Sequence, residues 1–374
     1  MEKISILHII DSLAVGGMER MLVDLVNVTD PSKYSILVCI TRSNLSLAEE
    51  VNPGIPVFSL NRKKKFDFVG LKNFLSIIKR YKIDLIHCHG RSTYSFLLLS
   101  LLINNTKKPI IFHDHYGNIE IDEKTPLWFK YFGAKKLNKY VGVSIKLTKW
   151  AEKSGVHKNK ITCINNSLNF NRFSKYKLIN IREKYDIPLE GKIGIMIGNI
   201  RSAKGLDLLI DSCSLLNNKE IPFFIIIGRT IDNNYLDCCK EKIKFNNLDK
   251  KFIFLGEQKD PISWIKSSDF AVMPSRTESG PLVLIEYMAN KLPFCAFNVG
   301  EISNLVCKLV PSQFAPSNDL QKFSENLERI ILLSSNEMDD LGESNYKIAK
   351  MNFDIRNNIS DWYNIYESTV KDYV

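Results

Sequence analysis

Short apolar runs alternate with amphipathic stretches from one end of this 374-residue chain to the other. Ile4–Ile10, Ser35–Ile40, Pro56–Leu60, Asp84–Cys88, Pro109–Phe112 and Tyr140–Val143 have the composition of buried strands, and Met18–Val26 and Phe68–Lys79 lie between them with helical spacing. The pattern restarts at Lys192, with strands expected at Ile193–Ile197, Phe223–Ile227, Phe252–Leu255, Phe270–Met273 and Phe294–Phe297. Helices are expected at Leu206–Leu216 and Leu282–Ala289. Strand–helix alternation implies a parallel sheet covered by helices on both faces, here twice over. The expected class is α/β, with two doubly wound, Rossmann-like domains facing a central cleft.

Domain limits follow from where the pattern pauses. Asn165–Gly191 is polar, carries Pro188 and Gly191, and has little strand character. We expect a first domain over 1–172, a linker over 173–191 and a second domain over 192–355. Residues 356–374 hold an amphipathic helix, Asn358–Tyr373, with Trp362, Ile365, Tyr366 and Val370 on or near one face, suited to packing across the junction.

Hydrophobic residues make up 45% of the chain and charged residues 25%, which supports two cores and argues against disorder. The longest apolar runs, such as Phe96–Ile103, fall well short of a bilayer span. Ile4–Ile10 is too short and too quickly followed by a polar loop to serve as a secretory signal, so the expected location is cytoplasmic. The eight cysteines form no C-x-x-C pair; Cys39, Cys88, Cys163 and Cys295 sit in strand-like runs and read as buried small hydrophobes. A net charge of +10 suits nucleic acid, an anionic membrane or anionic small molecules. No helix-turn-helix, zinc-finger or RNP-type pattern is present, so no nucleic-acid partner is expected.

Open parallel sheets bind ligands at the carboxyl ends of their strands, and that is where the unusual residues fall. Gly16-Gly17 follows the first strand and precedes a helix, a place for a tight turn or an anion. It is not the G-x-G-x-x-G fingerprint, so a nicotinamide cofactor is not supported. His87/His89 and His113/His115 end two expected neighbouring strands, each pair on one side of its strand. Without an Asp- or Cys-rich companion they are read as one polar group at the cleft and three structural rings rather than a metal site.

In the second half, Gly198–Gly205 carries Arg201 and Lys204 into a helix start, a pocket suited to a diphosphate. The stretch Pro274–Glu286 is the most informative. Pro281 fits the first turn of a helix, with Ser279 or Gly280 near the cap. Glu278 then lies in the loop before it, and Glu286 falls within an apolar helical run, where a carboxylate needs a partner. Sugar or ribose hydroxyls are candidates, and structural salt bridges are the alternative.

Together these loops resemble glycosyltransferase family 4, retaining enzymes with the GT-B fold, over nearly the whole chain. The acidic pair matches the family's E-x7-E pattern. Gly16-Gly17-Met18-Glu19-Arg20, Pro109–His115, Val143-Ser144, Lys204-Gly205 and Ala271–Ser275 match in the expected order. By this resemblance Glu278 contacts the transferred sugar, Glu286 binds the donor ribose, and Lys204 stabilises the leaving diphosphate with the Ser279, Gly280, Pro281 and Leu282 backbone. Gly16 and Gly17 approach phosphate or acceptor, and His115 binds a sugar hydroxyl. No metal or other cofactor is implied. Asn199 stands where the family usually has Arg, leaving Arg201 as the neighbouring cation for the phosphates. Gly228-Arg229-Thr230 replaces a glycine-rich turn, and Ser167 replaces a usual glycine.

The resemblance implies a nucleotide-diphosphate sugar donor and a glycan or lipid-linked glycan acceptor, as in surface-polysaccharide assembly. A nucleotide-sugar epimerase of the same fold and a non-catalytic sugar-nucleotide-binding subunit are the competing readings. Arg62-Lys63-Lys64-Lys65-Phe66 and Trp128–Tyr140 mix lysines with aromatics, which suits peripheral contact with an anionic membrane surface.

Overall fold

The alternation resolves into two parallel sheets. The computed structural model describes residues 3–64, 67–104, 107–119, 122–216 and 221–373. Strands β1 (Ile4–Ile10), β2 (Tyr34–Ile40), β3 (Val57–Ser59), β4 (Leu85–His89), β5 (Ile110–Asp114), β6 (Lys139–Gly142) and β7 (Ile161–Cys163) form the first, in the order β3-β2-β1-β4-β5-β6-β7. Strands β8 (Ile193–Ile197), β9 (Phe223–Ile227), β10 (Phe252–Gly256), β11 (Phe270–Met273), β12 (Phe294–Phe297) and β13 (Phe314–Ala315) form the second, in the order β10-β9-β8-β11-β12-β13. Every pairing is parallel. In both sheets the winding direction reverses beside the first strand, between β1 and β4 and between β8 and β11.

Burial explains the near-continuous apolar strands. Ile6, Leu7, Ile9 and Ile10 of β1 are all inaccessible, because helices cover both faces of the sheet. In the second sheet Phe224, Phe270 and Phe297 are likewise fully buried. The edge strands β7 and β13, short and without long apolar runs, give no comparable signal in the sequence. Cys39, Cys88 and Cys295 are buried as expected, but Cys163 is exposed, because it closes the edge strand β7.

The chain divides into a first unit, 1–169 with 355–374, and a second, 170–354. The segment 173–191, expected as a linker, packs with the second unit. Ile181 and Ile187 are buried, the Ile179 N–H donates to Ser267 Oγ at 2.7 Å, and Arg182 pairs with Asp269 at 3.0 Å. Its polar composition hid these contacts because the anchoring groups are themselves polar.

The last helix, Ile355–Lys371, returns to the first unit. Trp362 and Tyr366 are fully buried there. Tyr34 Oη donates to Glu367 at 2.9 Å, and Tyr363 Oη accepts from the Asp30 N–H at 2.9 Å. The long helix before it, Ser335–Phe353, begins with a capping box in which Ser334 and Glu337 satisfy each other's backbone N–H groups.

Candidate functional site

In the second unit the loops after β8 and β11 meet where the sheet's winding reverses, the usual place for a ligand in such folds. Backbone geometry brings them close. Gly205 has φ +70°, and a Cβ there would lie 1.9 Å from the Pro274 carbonyl oxygen, so glycine is required. The Arg276 N–H donates to the Ala203 carbonyl at 2.9 Å. The Arg276 guanidinium grips Asp207 through both its oxygens, at 2.7 and 2.6 Å, and reaches the Ser202 carbonyl at 2.8 Å.

Across this junction Lys204 Nζ donates to Glu278 Oε1 at 2.6 Å, and Ser275 Oγ donates to the same oxygen at 2.9 Å. Both charged side chains are largely withdrawn from solvent, 19% exposed for Lys204 and 10% for Glu278. Ion pairs this shielded are screened far less than surface ones and demand good geometry to persist. Sequence reasoning named Lys204 and Glu278 as site residues, whereas Ser275 entered only as the last residue of the Ala271–Ser275 match, with no role assigned.

Behind Glu278 the chain passes Ser279, Gly280 and Pro281 into the helix Leu282–Ala289. Pro281 takes the N-cap position, one residue earlier than the first turn expected for it, and its side chain makes no capping hydrogen bond. The first N–H groups of the helix present partial positive charge. The Glu301 N–H bonds the Ser279 carbonyl at 2.8 Å, fixing the loop from the β12 side. Tyr287 Oη accepts from the Ile197 N–H at 2.8 Å and locks the helix to the end of β8.

Glu286 lies in that helix and already has a partner in this chain. Arg172 Nη2 donates to its Oε1 at 2.6 Å. Sequence reasoning assigned Arg172 to the other domain and so could not pair them. Arg201, at the N-cap of the short turn Ser202–Lys204, is half-buried, and its Nε is enclosed without a hydrogen-bond partner among the described residues. Asn199, by contrast, is exposed.

In the first unit Gly16 precedes the helix Gly17–Val28 and provides no side-chain cap. A Cβ on Gly16 would lie 2.5 Å from Glu19 Oε2, so the glycine makes room for a carboxylate folded back over the helix start. Burial pushes the Glu19 carboxyl above its usual range.

Five of the six histidines, all but the exposed His157, gather on one face of this unit's sheet. His8, which sequence reasoning overlooked, lies between the strand ends with His87, His89, His113 and His115. Its Nδ1 is 3.1 Å from His89 Nε2, and His87 Nδ1 is 3.1 Å from Tyr366 Oη. Trp362 packs 4.9 Å from the rings of both His87 and His113. Burial lowers the pKa of all five, that of His8 to about 3. His115 keeps some exposure and is the accessible end of the row. Ligand atoms of His8, His87 and His89 lie within 4.8 Å of one another, as do those of His89, His113 and His115, so either trio has the donor type for a transition metal. Packing of neutral rings against Trp362 and Tyr366, tilted on the first and edge-on to the second, accounts for the same arrangement without one.

Two parallel, doubly wound units, with the Lys204–Glu278 ion pair at a strand-end switch point of the second, have the architecture of the GT-B class. A model of glycosyl transferases group 1 matches residues 179–348, and one of glycosyltransferase family 4 matches residues 15–172. The chain belongs to this glycosyltransferase family. It is 24% identical over 360 residues to an uncharacterized glycosyltransferase of Haemophilus influenzae, covering 94% of this chain and 96% of that one. It is 22% identical over 351 residues to the Escherichia coli UDP-Gal:alpha-D-GlcNAc-diphosphoundecaprenol alpha-1,3-galactosyltransferase, covering 88% of each. The solved structure of Anabaena HepE in complex with UDP and glucose matches with a TM-score of 0.81 at 16% identity, over 98% of this chain and 100% of that chain.

Proposed function

We propose that this glycosyltransferase moves a sugar from a nucleoside-diphosphate sugar to a hydroxyl of a glycan or lipid-linked glycan, with retention at the anomeric carbon, in the assembly of a surface polysaccharide. The observation that carries the reading is the Lys204–Glu278 contact at the β8/β11 switch point. One cation for a departing diphosphate and one carboxylate for sugar hydroxyls stand side by side. One relative is a galactosyltransferase acting on a diphosphoundecaprenol-linked sugar, which supports the acceptor class.

In this reading the diphosphate engages Lys204, Arg201 and the start of Leu282–Ala289. Positive charge fixed before the reaction stabilises the negative charge that grows on the leaving phosphate. Glu278 accepts from hydroxyls of the transferred sugar, and Glu286 from the ribose. His115 contributes a hydrogen bond to the sugar, and Gly16-Gly17 allows close approach of phosphate or acceptor. The bond from the anomeric carbon to the phosphate oxygen breaks as the acceptor oxygen bonds to the same face. The acceptor's proton passes to the departing phosphate. Charge supplied by Lys204 and Arg201 leaves no step that needs a metal.

A peripheral place on the cytoplasmic membrane face fits the acceptor. No helix among the described residues is long and apolar enough to cross a membrane. Leu127, Tyr131 and Phe132 are exposed beside the exposed Lys130, Lys135 and Lys136, the pairing of apolar and basic groups that an anionic interface takes up. In the second basic stretch Lys65 and Phe66 lie outside the described residues.

The test is transfer itself. With purified lipid-linked glycan as acceptor, the product should gain the mass of one sugar, and Glu278→Ala should slow that gain by about 10³-fold or more in a folded protein. Undiminished transfer by Glu278→Ala would remove the site from the reaction.

A further inference from the structure

Glu286 is a carboxylate in an apolar helix, and its charge is balanced from an unexpected quarter. Arg172 lies in the turn Phe170–Lys175, where the chain enters the second unit. Its Nη2 donates to Glu286 Oε1 at 2.6 Å, with the two side chains 7% and 13% exposed. The guanidinium also sits 4.5 Å above the Phe173 ring, which restrains it further. Glu286 Oε2 has no hydrogen bond among the described residues, and it is not sealed from solvent.

We propose that Arg172 is a positioning residue for donor binding: it holds Oε1 so that Oε2 is presented, in one orientation, to the ribose hydroxyls of the nucleoside diphosphate. This rests on the reading of Glu286 as the ribose ligand given above. A glutamate has three rotatable side-chain torsions, and ordering them on binding opposes affinity. A restrained, planar guanidinium fixes those torsions before the ligand arrives. It also balances a charge that would otherwise be stranded in an apolar helix. Arg172 then shapes selectivity for the ribose although it touches no ligand atom, and it does so from a turn outside the sheet-and-helix repeat that carries the other donor groups.

The experiment is isothermal titration of the full chain with UDP and with 2′,3′-dideoxy-UDP, or with the matching pair of the base that the wild type prefers. The wild type should bind the ribose form at least about ten-fold more tightly, since hydrogen bonds to a charged acceptor are worth that much. Arg172→Met should bring the ratio to about two or below, by weakening the ribose form and leaving the dideoxy form nearly unchanged. Arg172→Lys should restore most of the ratio. If Arg172→Met does not fold, Arg172→Gln, which keeps a single neutral donor, serves in its place and should give a ratio between the wild-type value and two. An unchanged ratio in the folded Met or Gln variant overturns the proposal. So does an equal loss of both ligands, which would mark Arg172 as merely structural. A wild type that binds without ribose preference, or binds neither ligand, instead overturns the assignment of Glu286 itself and this inference with it.

Discussion

Lys204 Nζ lies 2.6 Å from Glu278 Oε1, joining the loops that follow two adjacent strands, β8 and β11. The contact exists because Gly205 lets one loop reach the other's backbone. It therefore depends on the fold of the whole second unit and not on chance encounter of two long side chains.

Lys204→Ala should lower kcat by about 10²–10³-fold, the usual effect of removing one preorganised charge stabiliser. The double variant with Glu278→Ala should be little worse than Glu278→Ala alone, because groups acting on one transition state are not additive. Steady-state kinetics on the three proteins check this; fully multiplicative losses would mean independent roles.

Gly205→Ala should destabilise the second unit by at least about 1–3 kcal/mol, combining an unfavourable positive φ with a backbone collision at Pro274. Urea unfolding followed by circular dichroism measures it. A midpoint matching the wild type would mean that the loops are not held as described.

The buried histidines predict acid sensitivity. His8, His87, His89 and His113 have folded-state pKa values below the unfolded value near 6.5, His8 at about 3, because burial disfavours the charged ring. Protons then bind the unfolded chain more readily. The stability these rings allow is complete above pH 6.5 and is lost as pH falls below it, by up to about 1.4 kcal/mol per pH unit for each ring. Urea midpoints at pH 7.5 and 5.5 should differ strongly in the wild type, and by less in His113→Leu. Equal wild-type midpoints would contradict the burial of neutral rings.

Replacing Tyr131 and Phe132 by Ser, with Lys130, Lys135 and Lys136 changed to Ala, should abolish flotation with anionic liposomes at low salt. Basic groups near such a surface contribute about 1 kcal/mol each. Wild-type protein that fails to float with anionic lipid would dismiss the membrane surface as a partner.

Much of the fold was legible because buried parallel strands must be apolar on both faces, as in β1 and β8. The edge strands β7 and β13 were not, since an edge needs no such composition. Lys204, Glu278 and Glu286 stood out because charge in or beside an apolar run demands a reason. Arg172, Ser275 and His8 did not: Arg172 sits 114 residues from its partner, Ser275 is common in loops, and His8 reads as one more strand residue until its neighbours are in place. Likewise 173–191 looked like a linker because Arg182 and Asp269 find each other only in space.

If Lys204 and Glu278 form a donor site, a nucleotide sugar binds the folded chain through them. Thermal unfolding of the full chain with UDP-, GDP- and ADP-sugars tests it most directly, since a ligand that binds only the folded state stabilises it by about 2.7 kcal/mol at a hundred times its Kd. One nucleotide class should raise the wild-type Tm, and Lys204→Ala should lose most of that rise. No rise with any donor, or a rise untouched by Lys204→Ala, would mean that the Lys204–Glu278 pair is not a donor site.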